Sequence, residues 1–149
     1  MLSRLTVLEN MLLGVPQQIG ENLLQVCFNR QQVRRQEKEN QEKALALLDS
    51  VGLAAKVDDY AGALSGGQRK LLEMARALMT HPKLILLDEP AAGVNPALID
   101  KICEHIINWN QQGISFLIIE HNMDVIMSLC HHIWVFAEGT NLADGTPQD

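Results

Sequence analysis

The chain has 149 residues, room for one ordinary domain with a single core but not comfortably for two. Its composition, 47% apolar and 20% charged, argues against disorder, and no tract or period suggests low complexity or a solenoid. Twelve basic residues against 18 acidic give a net charge of −6, the wrong sign for binding nucleic acid through the whole surface. Cys27, Cys103 and Cys130 are odd in number and form no C-x-x-C pair, so neither a disulfide framework nor a zinc ribbon is expected, and a reducing cytosol suits them. The longest apolar runs, such as Ile114 to Ile119 around Ser115, fall far short of the roughly 20 residues that span a bilayer. Met1 to Gly14 is interrupted by Arg4, Glu9 and Asn10, unlike a secretory signal. Membrane contact is therefore expected only peripherally, through a partner.

In chain order, the first half reads as helical and the second as alternating strand and helix, with the change near Pro82. From Gln31 a charged stretch, read as a solvated face, gives way to Ala44, Leu45, Leu48 and Val51 at helical spacing, and Gly52 follows as a C-cap. After a loop with Asp58, Asp59 and Gly62, Leu64-Ser65-Gly66-Gly67-Gln68 opens a helix carrying Leu71, Leu72, Ala75, Leu78 and Met79 on one face, which His81-Pro82 ends. Leu84 to Leu87 is a short apolar run ending in Asp88-Glu89-Pro90, read as a strand buried on both faces of a parallel sheet. Asn95-Pro96 is a cap and first-turn proline for a helix with Leu98, Ile102, Ile106 and Trp109 inward and Gly113 beyond its end. A strand from Ile114 to Ile119 leads to Glu120-His121-Asn122, where Asn122 caps a helix with Val125, Ile126 and Leu129. A strand at Ile133 to Ala137 turns through Glu138-Gly139 into a weak final strand around Leu142. This order is α/β, an architecture whose ligands gather at the carboxyl ends of the strands.

Ser65 stands three residues ahead of Gln68, the capping-box spacing, with two glycines between them. The free N–H groups and positive dipole end of such a helix suit a phosphate. Taken alone, these four residues are more often an ordinary glycine-containing cap. Asp88 and Glu89 place two carboxylates at the ligand edge of the sheet, where one can face Mg²⁺ and the other an attacking water, since adjacent strand residues point apart. An isolated Asp-Glu pair after a strand is nonetheless more often a plain cap of the next element. His121 ends the next strand and can orient a phosphate or the water, although a lone histidine is more often structural. Cys130-His131-His132 diverge as consecutive residues and lack a fourth ligand at zinc-like spacing, so that trio is not read as a metal site.

Order and spacing turn these separate features into one pattern: Leu-Ser-Gly-Gly-Gln at 64–68, Ile-Leu-Leu-Asp-Glu-Pro at 85–90, Ala-Gly-Val-Asn-Pro at 92–96 and Ile-Ile-Glu-His at 118–121. The pattern resembles the ATP-binding cassette family of transport ATPases, from Leu5 to Pro147. The resemblance implies an incomplete P-loop NTPase fold: a helical subdomain over 1–81 ending in the signature helix, then, over 82–149, the β-α-β-α-β half of a RecA-like core. It also implies roles. Ser65, Gly66, Gly67 and Gln68 correspond to the signature that closes over ATP held by a second subunit. Asp88 corresponds to the Walker B magnesium residue, Glu89 to the catalytic carboxylate, Asn95 to part of the D-loop and His121 to the switch histidine. ATP and Mg²⁺ are thus the ligands expected of the complete protein.

Within the family, Glu89 to Pro96, Ile119 to Met123 and Gly145-Thr146-Pro147 are similar to the ATPases of branched-chain amino acid importers, and Leu5 to Asn10 to the stretch after that group's Q-loop. Asn95 stands where many cassettes have Asp, a departure this subgroup shares. The implied partners are a second ATPase subunit, identical or not, transmembrane permease subunits and, indirectly, a solute-binding protein. The implied location is peripheral, on the cytoplasmic face of the plasma membrane. G-x-x-x-x-G-K-[ST], the loop that cradles phosphates, is not found: Gly14 and Gly20 are not so spaced, and Glu21 follows Gly20. The sequence therefore reads as the C-terminal part of a longer protein, inactive alone, with a gap in its sheet. The competing reading is a non-catalytic truncated module that docks to a permease or partner ATPase. A cassette of DNA repair or translation would need heptad arms or a second cassette.

Overall fold

The structure, a computed structural model, describes residues 1–16 and 30–149. Gly20, Glu21 and Cys27 lie outside the described residues. The chain packs as two compact units, Met1–Pro82 and Lys83–Asp149.

The first unit contains α1 (Val7–Leu12), α2 (Arg30–Ser50), two single 3-10 turns (Ala54–Lys56 and Ala61–Ala63) and α3 (Gly66–Leu78). A capping box starts α1: the Glu9 amide donates to Thr6 Oγ1 at 3.1 Å and the Thr6 amide to Glu9 Oε2 at 2.7 Å. The three helices pack on one another through Val7 and Met11, Ala44 and Leu48, and Leu71, Leu72, Ala75 and Leu78. Each of the larger of these side chains contributes about 2 kcal/mol by leaving water. The charged part of α2 is solvated, with Arg35–Glu39 and Lys38–Glu42 paired one turn apart at 2.8 and 3.7 Å. Leu45, expected on the apolar stripe, lies at its edge, 37% exposed. Gly52, at φ 71°, ends the helix: its amide donates to Asp49 O and the Leu53 amide to Leu48 O, the paired bonds of a Schellman cap.

At the other end of α3, Lys43 Nζ from α2 donates to Met79 O at 2.9 Å and lies 2.7 Å from His81 Nε2. A cation there satisfies a terminal carbonyl and complements the helix dipole. Partial burial holds the Lys43 ammonium below its ordinary pKa. Asn10 is the buried polar residue among the described residues of this unit. Its Oδ1 accepts from the Leu2 amide at 3.0 Å, and its Nδ2 donates to Leu2 O, Leu5 O and Thr6 O at 2.9, 3.3 and 2.9 Å.

The second unit runs β1 (Leu84–Asp88), α4 (Pro96–Gln111), β2 (Ser115–Ile119), α5 (Met123–Leu129), β3 (Ile133–Ala137) and β4 (Thr140–Gly145). Strands β1 and β2 are parallel, in register from Leu84 opposite Ser115 to Asp88 opposite Ile119. α4 packs against β2 and α5, burying Ile102, Ile106 and Trp109, and Gly113 leaves its end at φ 96°. β3 and β4 form an antiparallel pair, and among the described residues no ladder joins it to β1–β2. β1 is not buried on both faces, contrary to the sequence expectation. Ile85 is buried, but Leu84 and Leu86 are 53% and 68% exposed, and on β2 Leu117, opposite Leu86, and Ile119, opposite Asp88, are 45% and 62% exposed. Apolar content sets how many faces a strand can bury; what covers them is a tertiary matter.

Candidate functional site

The tip of α3 is built by its first turn. Ser65 has extended backbone, φ −62° and ψ 162°; its Oγ accepts from the Gln68 amide at 3.3 Å while Gln68 Oε1 accepts from the Ser65 amide at 3.0 Å. The first backbone bond of the helix is Arg69 N–H to Ser65 O, so the amides of Gly66 and Gly67 come before any intrahelical partner. Ser65 and Gly66 are exposed, whereas Gly67 is buried. Among the described residues, a Cβ on Gly66 would meet only the Arg69 guanidinium, at 3.9 Å. Their packing thus makes no demand for glycine there.

In the second unit, Asp88 is the last residue of β1 and exposed. Strand alternation stops there. Glu89 has φ 47°, a left-handed backbone that costs a non-glycine residue about 1–2 kcal/mol. Its amide donates to Ile119 O at 2.8 Å, and its carbonyl closes a turn with the Ala92 amide at 3.1 Å. Strain of this kind is held in place by surroundings and is concentrated at functional positions. The turn brings Glu89 Oε1 to 3.6 Å from His121 Nδ1, with both side chains more than half exposed. In so open a position the contact fixes geometry more than it adds stability.

Glu120, to which sequence reasoning gave no role, lies under this pair. Its Oε1 accepts from the Ala91 amide at 2.7 Å, and its Oε2 from the His121 and Asn122 amides at 3.1 and 3.3 Å. Asn122 Oδ1 in turn caps α5, accepting from the Asp124 and Val125 amides. Asn95 Oδ1 caps α4, accepting from the Leu98 amide at 3.0 Å. The structure thus brings Glu89 and His121 together beside Asp88. Asn95 opens the next helix, and the Ser65–Gln68 tip belongs to the first unit.

Among the described residues no three carboxylate, histidine or cysteine side chains converge on a point. Asp88 fits a Mg²⁺ whose other ligands are phosphate oxygens and water, the usual mode for this ion, and does not make a protein cage. Near Cys130, His132 Nε2 lies 3.4 Å from Asp144 Oδ2 and meets the Trp134 ring edge-on, while burial pushes the Cys130 thiol pKa up.

A parallel β-α-β unit with carboxylates and a histidine at its strand ends, after a helical unit with an open glycine-bearing helix tip, defines part of a P-loop NTPase fold. Residues 1–92 match the ABC transporter family, and the chain belongs to it. It is 42% identical over 148 residues to a protein of Methanocaldococcus jannaschii described as the probable branched-chain amino acid transport ATP-binding protein LivG, covering 99% of this chain and 57% of that one. To the high-affinity branched-chain amino acid transport ATP-binding protein BraF of Pseudomonas aeruginosa it is 39% identical over 145 residues, covering 97% and 57%. Its fold matches the crystal structure of a nucleotide-free ATP-binding cassette from an ABC transporter with a TM-score of 0.78 and 41% identity, over 97% of this chain and 56% of that one. The ADP conformation of an ATP-binding cassette matches with a TM-score of 0.76. The chain therefore spans little more than half the length of these relatives.

Proposed function

We propose that the chain is the signature-bearing and Walker B-bearing part of the ATP-hydrolysing subunit of an ABC transporter that imports amino acids of the branched-chain class. The first unit serves as the helical subdomain and the second as part of the RecA-like core. The observation that carries this reading is the Glu89–His121 contact at the ends of two parallel strands, beside Asp88. In it, Glu89 draws a proton from a water as that water attacks the γ-phosphorus of ATP, and the bond to the ADP oxygen breaks. His121, within reach of Glu89, orients the water and the γ-phosphate. Asp88 holds Mg²⁺, which when bound offsets phosphate charge. Ser65 and the amides of Gly66 and Gly67 meet the phosphates of ATP held by a second ATPase subunit, which explains a glycine that local packing does not require. Asn95, at the start of α4, lines the same interface.

The exposed face of Leu84, Leu86, Leu117 and Ile119 takes the part of the cassette that the relatives have outside the matched region. Permease subunits anchor the assembly to the cytoplasmic face of the membrane, and a solute-binding protein delivers the solute to them. Supplying the N-terminal part of the M. jannaschii relative as a separate polypeptide tests the reading. This chain alone is expected to show no steady MgATP hydrolysis, and the mixture to show it. Turnover by this chain alone, or a folded mixture that binds ATP without hydrolysing it, overturns the proposal.

A further inference from the structure

We propose that Glu120 is a positioning residue that ties the loop bearing Glu89 to the loop bearing His121 and so sets their separation, an inference that rests on the hydrolytic reading above. Three backbone amides converge on its two carboxylate oxygens: Ala91, two residues beyond Glu89, on Oε1, and His121 and Asn122 on Oε2. The bond to Ala91 is the shortest, at 2.7 Å, and reaches 29 positions along the chain. Among the described residues Glu120 forms no ion pair, so its charge is satisfied by these amides. Only a group with two acceptor oxygens and no donor can serve three N–H groups at once.

The other backbone link here, Glu89 N–H to Ile119 O, continues the strand ladder and stops at the edge of the site. Beyond it, past the left-handed turn at Glu89, the Ala91–Glu120 bond joins the following loop to the end of β2. Glu120 therefore acts on the reaction through Glu89 and His121 without touching ATP itself.

Two substitutions separate this role from simple capping near α5. Glu120→Gln turns an NH₂ group towards amides and disrupts the cluster. Glu120→Asp keeps two acceptors near the His121 and Asn122 amides but is one methylene too short for Ala91. On this chain, read by amide NMR without nucleotide, the Ala91 proton resonance is expected to move upfield in Glu120→Asp while those of His121 and Asn122 stay. In Glu120→Gln, whose single oxygen can serve only one side of the cluster, the Ala91 resonance or the His121 and Asn122 pair is expected to move.

In the mixture completed with the N-terminal part of the M. jannaschii relative, both variants are expected to lose about tenfold to a hundredfold in kcat, the scale of a misplaced catalytic group, with KM for ATP changed less than about threefold. An unmoved Ala91 resonance in Glu120→Asp, three unmoved amides in Glu120→Gln, wild-type kcat in Glu120→Asp, or a kcat loss that merely follows the unfolded fraction overturns the proposal. The NMR arm stands whether or not hydrolysis is restored.

Discussion

Replacing Asn10 tests the most polar part of the helical core. In Asn10→Ala the Leu2 amide loses its acceptor, and Leu2 O, Leu5 O and Thr6 O lose the Nδ2 donor. The three carbonyls keep other donors: Leu5 N–H for Leu2 O, Ala61 N–H for Leu5 O and the Asn10 backbone N–H for Thr6 O. One donor alone is orphaned. With roughly 1 kcal/mol for each of the two amide protons and the one acceptor that were in use, the cost is about 3 kcal/mol. For a urea slope of about 1.5 kcal/mol/M this lowers the midpoint by about 2 M, read as loss of helical circular dichroism at low protein concentration.

Asn10→Asp is nearly isosteric but sets a carboxylate against the same three carbonyl oxygens, which favours the neutral acid in the folded state and raises its pKa. The sign follows: its penalty is small below the ordinary carboxyl value of about 3.9 and grows as pH rises through it. At neutral pH the Asp variant is expected to be less stable than the Ala variant. A midpoint shift under about 0.3 M for Asn10→Ala, or an Asp variant as stable as wild type at pH 7, refutes the assignment of Asn10 as a satisfied staple.

Ser65→Ala removes the acceptor for the Gln68 amide and is expected to cost about 1 kcal/mol in thermal or urea unfolding, with Ser65→Gly costing only a few tenths. A cost for Ser65→Ala indistinguishable from zero would show that the cap is not formed in solution. Glu89→Gly and Glu89→Gln part stability from chemistry. Glycine at φ 47° relieves up to about 1 kcal/mol of strain and raises the midpoint, whereas glutamine does not. In the completed mixture both are expected to reduce kcat at least about a hundredfold, the usual share of a positioned acid–base group. Retention of hydrolysis by either would remove Glu89 from its proposed role.

The features legible in the sequence were those with a local cause. Ser65 to Gln68, Asn95-Pro96 and Asn122 cap their helices because each places a side-chain oxygen three or fewer residues from the amide it receives. Gly52 and Gly113 stand where a left-handed turn was needed. The closeness of Glu89 and His121 was legible only as a consequence of parallel pairing, since it needs β1 and β2 side by side in one register. Glu120 was not legible, because its partner Ala91 lies 29 positions away and an alanine amide carries no sign of being received. Nor does anything in Asn10 or its neighbours announce that its side chain closes a turn back to Leu2.

The uncovered face of β1–β2 is the point at which sequence and structure parted, and the reason is informative. Leu84, Leu86, Leu117 and Ile119 are as apolar as Ile85 and Ile118, and a run apolar at every position is the mark of a strand covered on both sides. In the structure the more buried face is the one carrying Ile85 and Ile118, while the other stays open. Four large apolar side chains on one exposed face is more than scattered surface residues explain. The composition of β1 and β2 is therefore matched to a covering layer. On the proposed function, that layer is the remaining portion of the cassette, and adding it should protect the amides of Leu84 to Asp88 and Ser115 to Ile119 from hydrogen exchange. The Ser65 tip, whose open side is turned to a partner's nucleotide in that scheme, should gain protection only when ATP is also present.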